Sequence, residues 1–130
     1  MKATELMRND WVCIDNENAP KQVDWIRSGE VGLLWGQTVT PPYLNPISIT
    51  PEILDKNGFA LKPDGWLWCK EEGNEDTDYI FIQFRKGCEE VRLVELNFVN
   101  KVLARYEQMH YVHELQHALR LCNINKEIIL

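Results

Sequence analysis

The sequence has little of what marks nucleic-acid-binding, membrane or secreted proteins. Its 14 basic residues are outnumbered by 20 acidic ones, the net charge is −6, and the longest basic cluster is Arg85-Lys86. Because a nucleic-acid backbone is strongly anionic, this balance argues against nucleic acid as a partner. No run approaches the ~20 apolar residues that cross a bilayer, and no apolar signal segment follows residues 1–5. We therefore expect a cytoplasmic protein without a membrane span.

The usual catalytic signatures are also scarce. Neither of the two serines, Ser28 and Ser48, lies in a G-x-S-x-G turn, and no glycine-rich loop precedes a helix. The four cysteines form no C-x-x-C pair. In a reducing compartment we therefore expect them to behave as small buried hydrophobic residues. A Cys122–His117 nucleophile is conceivable, but Cys122 belongs to an apolar stripe and is expected to be inert. We expect no cofactor.

What the sequence does contain is enough apolar mass for a core. Apolar residues make up 45% of the 130 positions, with five Trp, four Tyr and four Phe. That length suffices for one domain or two small lobes. We place the boundary after residue 46, giving a β-rich lobe over residues 1–46 and an α+β lobe over residues 47–130, with one compact unit as the alternative.

The first lobe is predicted from short strands separated by turn residues. The strands cover residues 11–14, 21–26 and 31–35, at a spacing of roughly ten residues typical of a small curled sheet or SH3-like barrel. Residues 40–46 follow with three prolines. They predict an extended linker.

The second lobe opens with a short helix whose ends are marked in the sequence. Thr50 is a natural N-cap, Pro51 suits the first helical position, and Glu52 lies at the positive end of the dipole. Gly58 can adopt the left-handed conformation after the helix, so that Phe59 folds back onto Ile53 or Leu54. The sequence therefore predicts a helix from residue 51 to about residue 57.

An antiparallel sheet and a closing helix complete the expected α+β fold. The strands are predicted over residues 66–69, 79–85, 90–96 and 102–106, with a loop over residues 70–78. The helix spans about residues 111–121, because apolar residues recur at helical spacing, namely Val112, Leu115, Ala118 or Leu119, and Cys122. Its apolar stripe would cover one face of the sheet.

The closing helix carries the one motif with chemistry of its own. His113, Glu114 and His117 form H-E-x-x-H, the spacing that places two imidazoles and a carboxylate for a zinc peptidase. Against this, a third ligand is missing, since only Glu127 among the later residues carries a carboxylate. The apolar stripe also turns the histidines outward. A zinc-dependent hydrolase with His113 and His117 as ligands and Glu114 as base is therefore the alternative hypothesis.

Two other clusters are candidates for contacts. Residues 71–78 carry five acids but lack the spacing of a calcium loop, so we expect a charged, solvated hairpin tip. The aromatic residues of the sheet could form an interaction surface if the helix covers only one face. That surface would comprise Trp66, Trp68, Tyr79 and Phe81, and packing within the chain is its alternative.

Three stretches carry a resemblance to a known family. Residues 46–59, PISITPEILDKNGF, resemble the PIPLTPEILEKNGF stretch of small uncharacterised proteins from Bacteroides-type bacteria, their phages and mobile elements. Residues 6–12 and 111–119, LMRNDWV and YVHELQHAL, resemble the beginning and end of those proteins. The family's helix reads V-H-x-L-Q-N, so Glu114 and His117 are departures or variants rather than part of its fixed pattern. The resemblance implies a cytoplasmic accessory protein without catalytic residues. It also implies a docking helix in which His113 and Gln116 are bonded to the backbone or to the sheet.

These observations favour a non-enzymatic accessory or protein-binding module of a prophage or mobile element. The partner is an unidentified protein, with a homo-oligomer as a further possibility. No membrane is expected to take part.

Overall fold

The chain folds into two compact units with two antiparallel sheets and two α-helices in the part that the structure describes, which confirms the α+β class. The computed structural model describes residues 1–15, 17, 19–71, 74–85, 90–98, 101–107 and 109–130. The first unit comprises Met1–Ser48 with Tyr111–His113 and Leu130. The second comprises Ile49–His110 and Glu114–Ile129.

The first unit is a five-stranded sheet with neighbours in the order β4-β3-β2-β1-β5. The strands are β1 (Trp11–Ile14), β2 (Pro20–Arg27), β3 (Glu30–Leu33), β4 (Thr38–Val39) and β5 (Leu44–Pro46). Strand β2 pairs with both β1 and β3, and its register against β3 shifts between Val23 and Trp25. Such a shift bends a strand and increases its twist. The core consists of Leu6, Val12, Val23, Val31, Leu33 and Leu44.

A tight turn leads into β1. The buried carboxylate of Asp10 accepts the Met7 N–H at 2.7 Å, and Asn9 takes a left-handed φ of 73°. The Val23 N–H donates to the Asp10 carbonyl at 2.9 Å. The LMRNDWV stretch is thus a structural corner that ties the entry of β1 to β2.

Two expectations for the first unit are wrong. Residues 40–46 are not a free linker, because Pro41–Tyr43 forms a 3₁₀ helix and β5 pairs with β1. The buried side chain of Leu44 joins the core, and β5 lies at a sheet edge, where proline is tolerated. The strand predicted over residues 31–35 ends at Leu33, so that Trp35 lies in a turn.

The second unit is an antiparallel meander in which each strand pairs with the next. The strands are β6 (Ala60–Lys62), β7 (Gly65–Glu71), β8 (Asn74–Phe84), β9 (Val91–Phe98) and β10 (Lys101–Tyr106). The sequence missed β6. It predicted the other four strands, with shifted ends.

The predicted loop over residues 70–78 is also wrong. Strands β7 and β8 continue to pair as far as Glu71 and Asn74. The hydroxyl of Thr77 accepts the Glu71 N–H at 3.2 Å and donates to the Asn74 carbonyl at 2.8 Å, which holds the strands together there. Residues 72–73 lie outside the described residues, as do Lys86 of the basic pair and Cys88.

Helix α1 (Pro51–Lys56) confirms the local prediction. The Thr50 hydroxyl accepts the Ile53 N–H at 3.3 Å. Gly58 takes a φ of 82°, and the Phe59 N–H donates to the Leu54 carbonyl at 3.0 Å. This is a Schellman ending, with Phe59 and Leu54 both buried.

Helix α2 (Val112–Leu121) ends in the same motif, with asparagine in place of glycine. Asn123 has a φ of 57°, and the Ile124 N–H donates to the Leu119 carbonyl at 2.9 Å. Leu119 and Ile124 are buried, as this motif requires of its hydrophobic pair. No helix in the described ranges is long and apolar enough to span a bilayer.

The C-terminal tail is fastened to α1. The buried amide of Asn57 donates to the Ile129 carbonyl at 2.8 Å, and its oxygen accepts the Ile129 N–H at 2.7 Å. A carboxamide paired with a backbone in this way satisfies both partners. The tail therefore belongs to the second unit up to Ile129.

Candidate functional site

The three histidines lie in three different environments. His110 precedes α2 and is exposed, His113 is 6% exposed, and His117 is half-buried. The expectation that His113 points outward is wrong. The start of α2 is anchored by the pairing of Tyr111 with Ser48 and by the Val112 N–H, which donates to the Ile47 carbonyl at 2.8 Å. The His113 ring stacks on Tyr111, with centroids 5.9 Å apart.

Glu114 has a structural role at the start of α2. Its carboxylate accepts the backbone N–H of His110 at 3.3 Å. Glu114 is the third residue of the helix, where glutamate commonly reaches back to an unsatisfied backbone donor. The residue that the zinc hypothesis assigns as general base thus accepts a hydrogen bond from the segment that precedes the helix.

His117 and Glu114 nevertheless line a cavity of the second unit. Its volume is about 500 Å³, and Arg105 and Tyr106 also line it. Within the described residues, no three His, Cys, Asp or Glu side chains are placed to hold a metal ion. A catalytic zinc needs three protein ligands, so this arrangement gives the zinc hypothesis no support.

The structure does not support the Cys122–His117 nucleophile either. Burial raises the pKa of the Cys122 thiol, which disfavours the thiolate that nucleophilic attack requires. Burial and the neighbouring Cys122 raise the pKa of Tyr106 as well. Cys122 therefore has the character of an inert thiol beside the cavity.

The four aromatic residues proposed as an interaction surface lie on opposite faces of the second sheet. Trp66 is opposite Ile82, and Trp68 is opposite Ile80. Residues directly opposite in a ladder share a face, so both tryptophans lie on the face of buried Ile80 and Ile82. The Lys126 ammonium lies 5.5 Å from the Trp68 ring centroid.

Tyr79 and Phe81 occupy the other face and are engaged within the sheet. The Tyr79 hydroxyl donates to Glu95 at 2.5 Å, and Arg105 donates to the second oxygen of Glu95 at 2.8 Å. A Cβ built on Gly65 would lie 2.8 Å from the Phe81 ring, so the ring covers this glycine. The four aromatics do not form one continuous surface.

The residue that sequence reasoning missed is Trp35. Its side chain is 98% exposed, at the tip of the β3–β4 hairpin, and its φ is 76°. The turn is closed by the Gly36 N–H, which donates to the Leu33 carbonyl at 3.2 Å, and by the Leu33 N–H, which donates to the Gln37 carbonyl at 2.7 Å. Tryptophan favours strands, so its type argued for the strand prediction. The adjoining Gly36 was the signal for a turn.

Trp35 also differs from the neighbouring tryptophan of the same sheet. The Trp25 ring lies over Gly32, where a Cβ would come within 2.0 Å of it. The Arg27 guanidinium lies 5.7 Å from the centroid of the same ring. Trp25 is thus packed on its own hairpin, whereas Trp35 is almost fully open to solvent.

Leu34 and Trp35 form the apolar part of the site, which we call the Trp35 tip (residues 34–36). Leu34 is also exposed, and its N–H donates to the Gln22 carbonyl at 2.9 Å. The backbone of the tip is therefore fixed to β2 while its apolar side chains reach solvent.

Comparison of the chain with models of known families, with curated proteins and with solved structures finds no match.

Proposed function

We propose that this chain is a non-enzymatic protein-binding module whose contact element is the Trp35 tip. The observation that carries the proposal is the exposure of Trp35, which is 98%, on a left-handed backbone. Tryptophan is the residue type most enriched among the anchors of protein interfaces. Its two side-chain torsions cost little entropy when it becomes fixed in a partner.

The backbone of the tip makes this exposure informative. The third position of a four-residue turn with positive φ normally takes glycine or asparagine. A bulky residue there costs about 1–2 kcal/mol, and such strain concentrates at functional sites. Trp35 contributes little to the core that would offset this cost, so contact with another molecule is the reason we infer for its presence.

The charge distribution indicates an apolar pocket as the complement. No charged residue occurs between Glu30 and Glu52. A phosphate backbone or an anionic bilayer would need cations beside the aromatic ring. The tip offers Leu34 and Trp35 instead, which suits the buried centre of a protein interface.

We extend the proposal to the fold and setting of the module. The strand order β4-β3-β2-β1-β5 and the 3₁₀ helix between β4 and β5 support an SH3-like barrel for the first unit. The resemblance of residues 46–59 supports a cytoplasmic accessory protein of a prophage or mobile element. A second copy of the chain is the competing partner.

Quantitative co-purification from the native host tests the proposal. The variant is Trp35→Gly, because glycine adopts the left-handed conformation without strain and so preserves the turn. The matched control is Leu61→Ser, which removes a side chain that is 69% exposed on β6. We expect one or more proteins to be retained by the wild type and the control and depleted about 10-fold or more with Trp35→Gly.

Equal recovery with all three baits would refute the role of Trp35. The oligomeric state of the purified chain distinguishes a different protein from a second copy of the chain as the partner. A dimer that dissociates in Trp35→Gly would identify a second copy as the occupant, in place of a different protein.

A further inference from the structure

A second cavity of the second unit lies between the sheet and the end of α2. Its volume is about 600 Å³, and its walls include Trp68 and Lys70 of β7, Arg120 of α2, and Asn123 and Asn125 of the turn that follows. Cavities of roughly 300–1,000 Å³ accommodate small organic ligands. Residues of this cavity belong neither to the H-E-x-x-H motif nor to the Trp35 tip.

The Schellman turn fixes one wall. The Asn123 N–H donates to the Arg120 carbonyl at 3.2 Å, while buried Leu119 and Ile124 line the cavity beneath it. Glycine is the usual residue at this left-handed position. Asparagine fills the same backbone role and adds a carboxamide, which offers both a donor and an acceptor.

The charges around the cavity oppose the charge of the whole chain. Lys70 and Arg120 line it, and the Lys126 ammonium lies 5.5 Å from the ring centroid of Trp68. Asp78 is the one carboxylate among the described lining residues. When Lys126 is counted together with the neighbouring Glu127, three cations lie beside two carboxylates. In a chain of net charge −6, this local excess of positive charge favours an anionic ligand. Burial lowers the pKa of Lys126, against the opposing effect of Glu127, and an anion nearby would favour its charged form.

The aromatic and amide groups add a second requirement. Trp68 provides a flat π-surface, on which a heterocyclic ring can stack. The carboxamides of Asn123 and Asn125 can pair with the donors and acceptors along the edge of such a ring. An inorganic anion alone would use neither feature.

We propose that this cavity binds a small anion with a planar heterocycle, of the size and class of a nucleoside monophosphate. The ring stacks on Trp68, the phosphate is held by Lys70 and Arg120, and the carboxamides read the edge of the base. A glycine-rich loop is not required, because side-chain cations take the place of backbone donors. This inference is independent of the Trp35 tip.

Titration of the ¹⁵N-labelled full chain by NMR tests the inference. The probes are the 5′-monophosphates of adenosine, guanosine, cytidine and uridine, with the four nucleosides and inorganic phosphate as comparisons. We expect at least one monophosphate to shift the indole N–H of Trp68 and the side-chain amides of Asn123 and Asn125, with a Kd below ~1 mM. The matching nucleoside and phosphate should each bind at least ~10-fold more weakly.

Two variants locate the site, and a third serves as control. Arg120→Gln removes a cation and should weaken binding ~10-fold. Asn123→Gly retains the turn, removes the carboxamide and should weaken binding roughly 3- to 10-fold. Lys101→Gln, an exposed change on β10, should bind as the wild type does.

Three results would overturn the inference. They are no binding of any of the four monophosphates at 10 mM or so, shifts that map away from Trp68 and the two asparagines, or unchanged affinity in both Arg120→Gln and Asn123→Gly. The turn itself is checked in Asn123→Gly by the shifts of buried Leu119 and Ile124, which should remain those of the folded chain.

Discussion

Trp68 and Tyr79 of the second unit differ from Trp35 of the first in how their rings are used. In the second unit, Trp68 and Tyr79 contact other groups of the sheet and tail, through Lys126 and Glu95. In the first unit, Trp35 stands on a hairpin tip with 98% of its surface open. Aromatic content alone therefore does not locate an interaction surface. Register and turn geometry decide which rings contact their own unit and which are almost fully exposed.

The largest expected effect on stability comes from removal of an aromatic ring that packs within its own unit. Trp68→Ala should lower the free energy of unfolding by about 2–3 kcal/mol, because a half-buried indole loses its apolar contacts. Trp35→Ala should change it by less than ~0.5 kcal/mol, as exposed substitutions do. Urea unfolding followed by circular dichroism measures both. Equal losses in the two variants would remove the distinction between Trp68 and Trp35.

A smaller effect is expected on the other face of the second sheet. Tyr79→Phe deletes the hydroxyl that donates to Glu95 at 2.5 Å. The loss of this charge-assisted bond should cost roughly 1–2 kcal/mol. The same unfolding assay applies, with Tyr43→Phe as control because Tyr43 is 59% exposed. If both tyrosine variants are as stable as the wild type, Tyr79 is not committed to the fold.

The strain at the Trp35 tip predicts a change of opposite sign. Trp35→Gly should raise the free energy of unfolding by roughly 0.5 kcal/mol, since relief of the left-handed strain slightly exceeds the added entropy of glycine in the unfolded chain. Gly36→Ala, at a φ of 90°, should lower it by about 1 kcal/mol. Thermal and urea unfolding together measure these values. A clear loss of stability in Trp35→Gly would mean that the ring packs on its own unit.

The smallest effect on stability is expected from the removal of metal ions. Chain purified without a histidine tag should hold no stoichiometric zinc after dialysis, and EDTA should shift its Tm by less than ~1 °C. The reasons are the burial of His113, whose ring stacks on Tyr111, and the hydrogen bond between Glu114 and the His110 N–H. One zinc per chain, lost in His117→Ala, would restore the hydrolase hypothesis.

Local signals in the sequence were sufficient where the structure depends on neighbours in the chain. Helix α1 was predicted from Thr50, Pro51 and Gly58 because caps and left-handed endings act within a few residues. Strand β5 was missed, since its three residues are fixed by pairing with β1, about 30 residues away. Proline in that segment indicated a linker, although an edge strand accepts it.

The candidate sites show the same limit. The sequence identified His113 and His117 as neighbours on one helix, but the burial of His113 depends on the strand-like pairing of Tyr111 with Ser48. The sequence did not reveal the Trp35 tip, because tryptophan favours strands. In the structure, strand β3 ends at Leu33. Long-range pairing, which no local pattern contains, decided the first outcome. The second depended on a local turn that Gly36 signalled.

Site-specific photocrosslinking in the native host tests the proposed function most directly. A photoreactive phenylalanine analogue replaces Trp35 in one chain and Leu61, the exposed residue of β6, in the other. We predict a discrete crosslinked species at position 35 and none at position 61. No crosslink at position 35, or the same products at both positions, would contradict the assignment of the Trp35 tip as the contact surface.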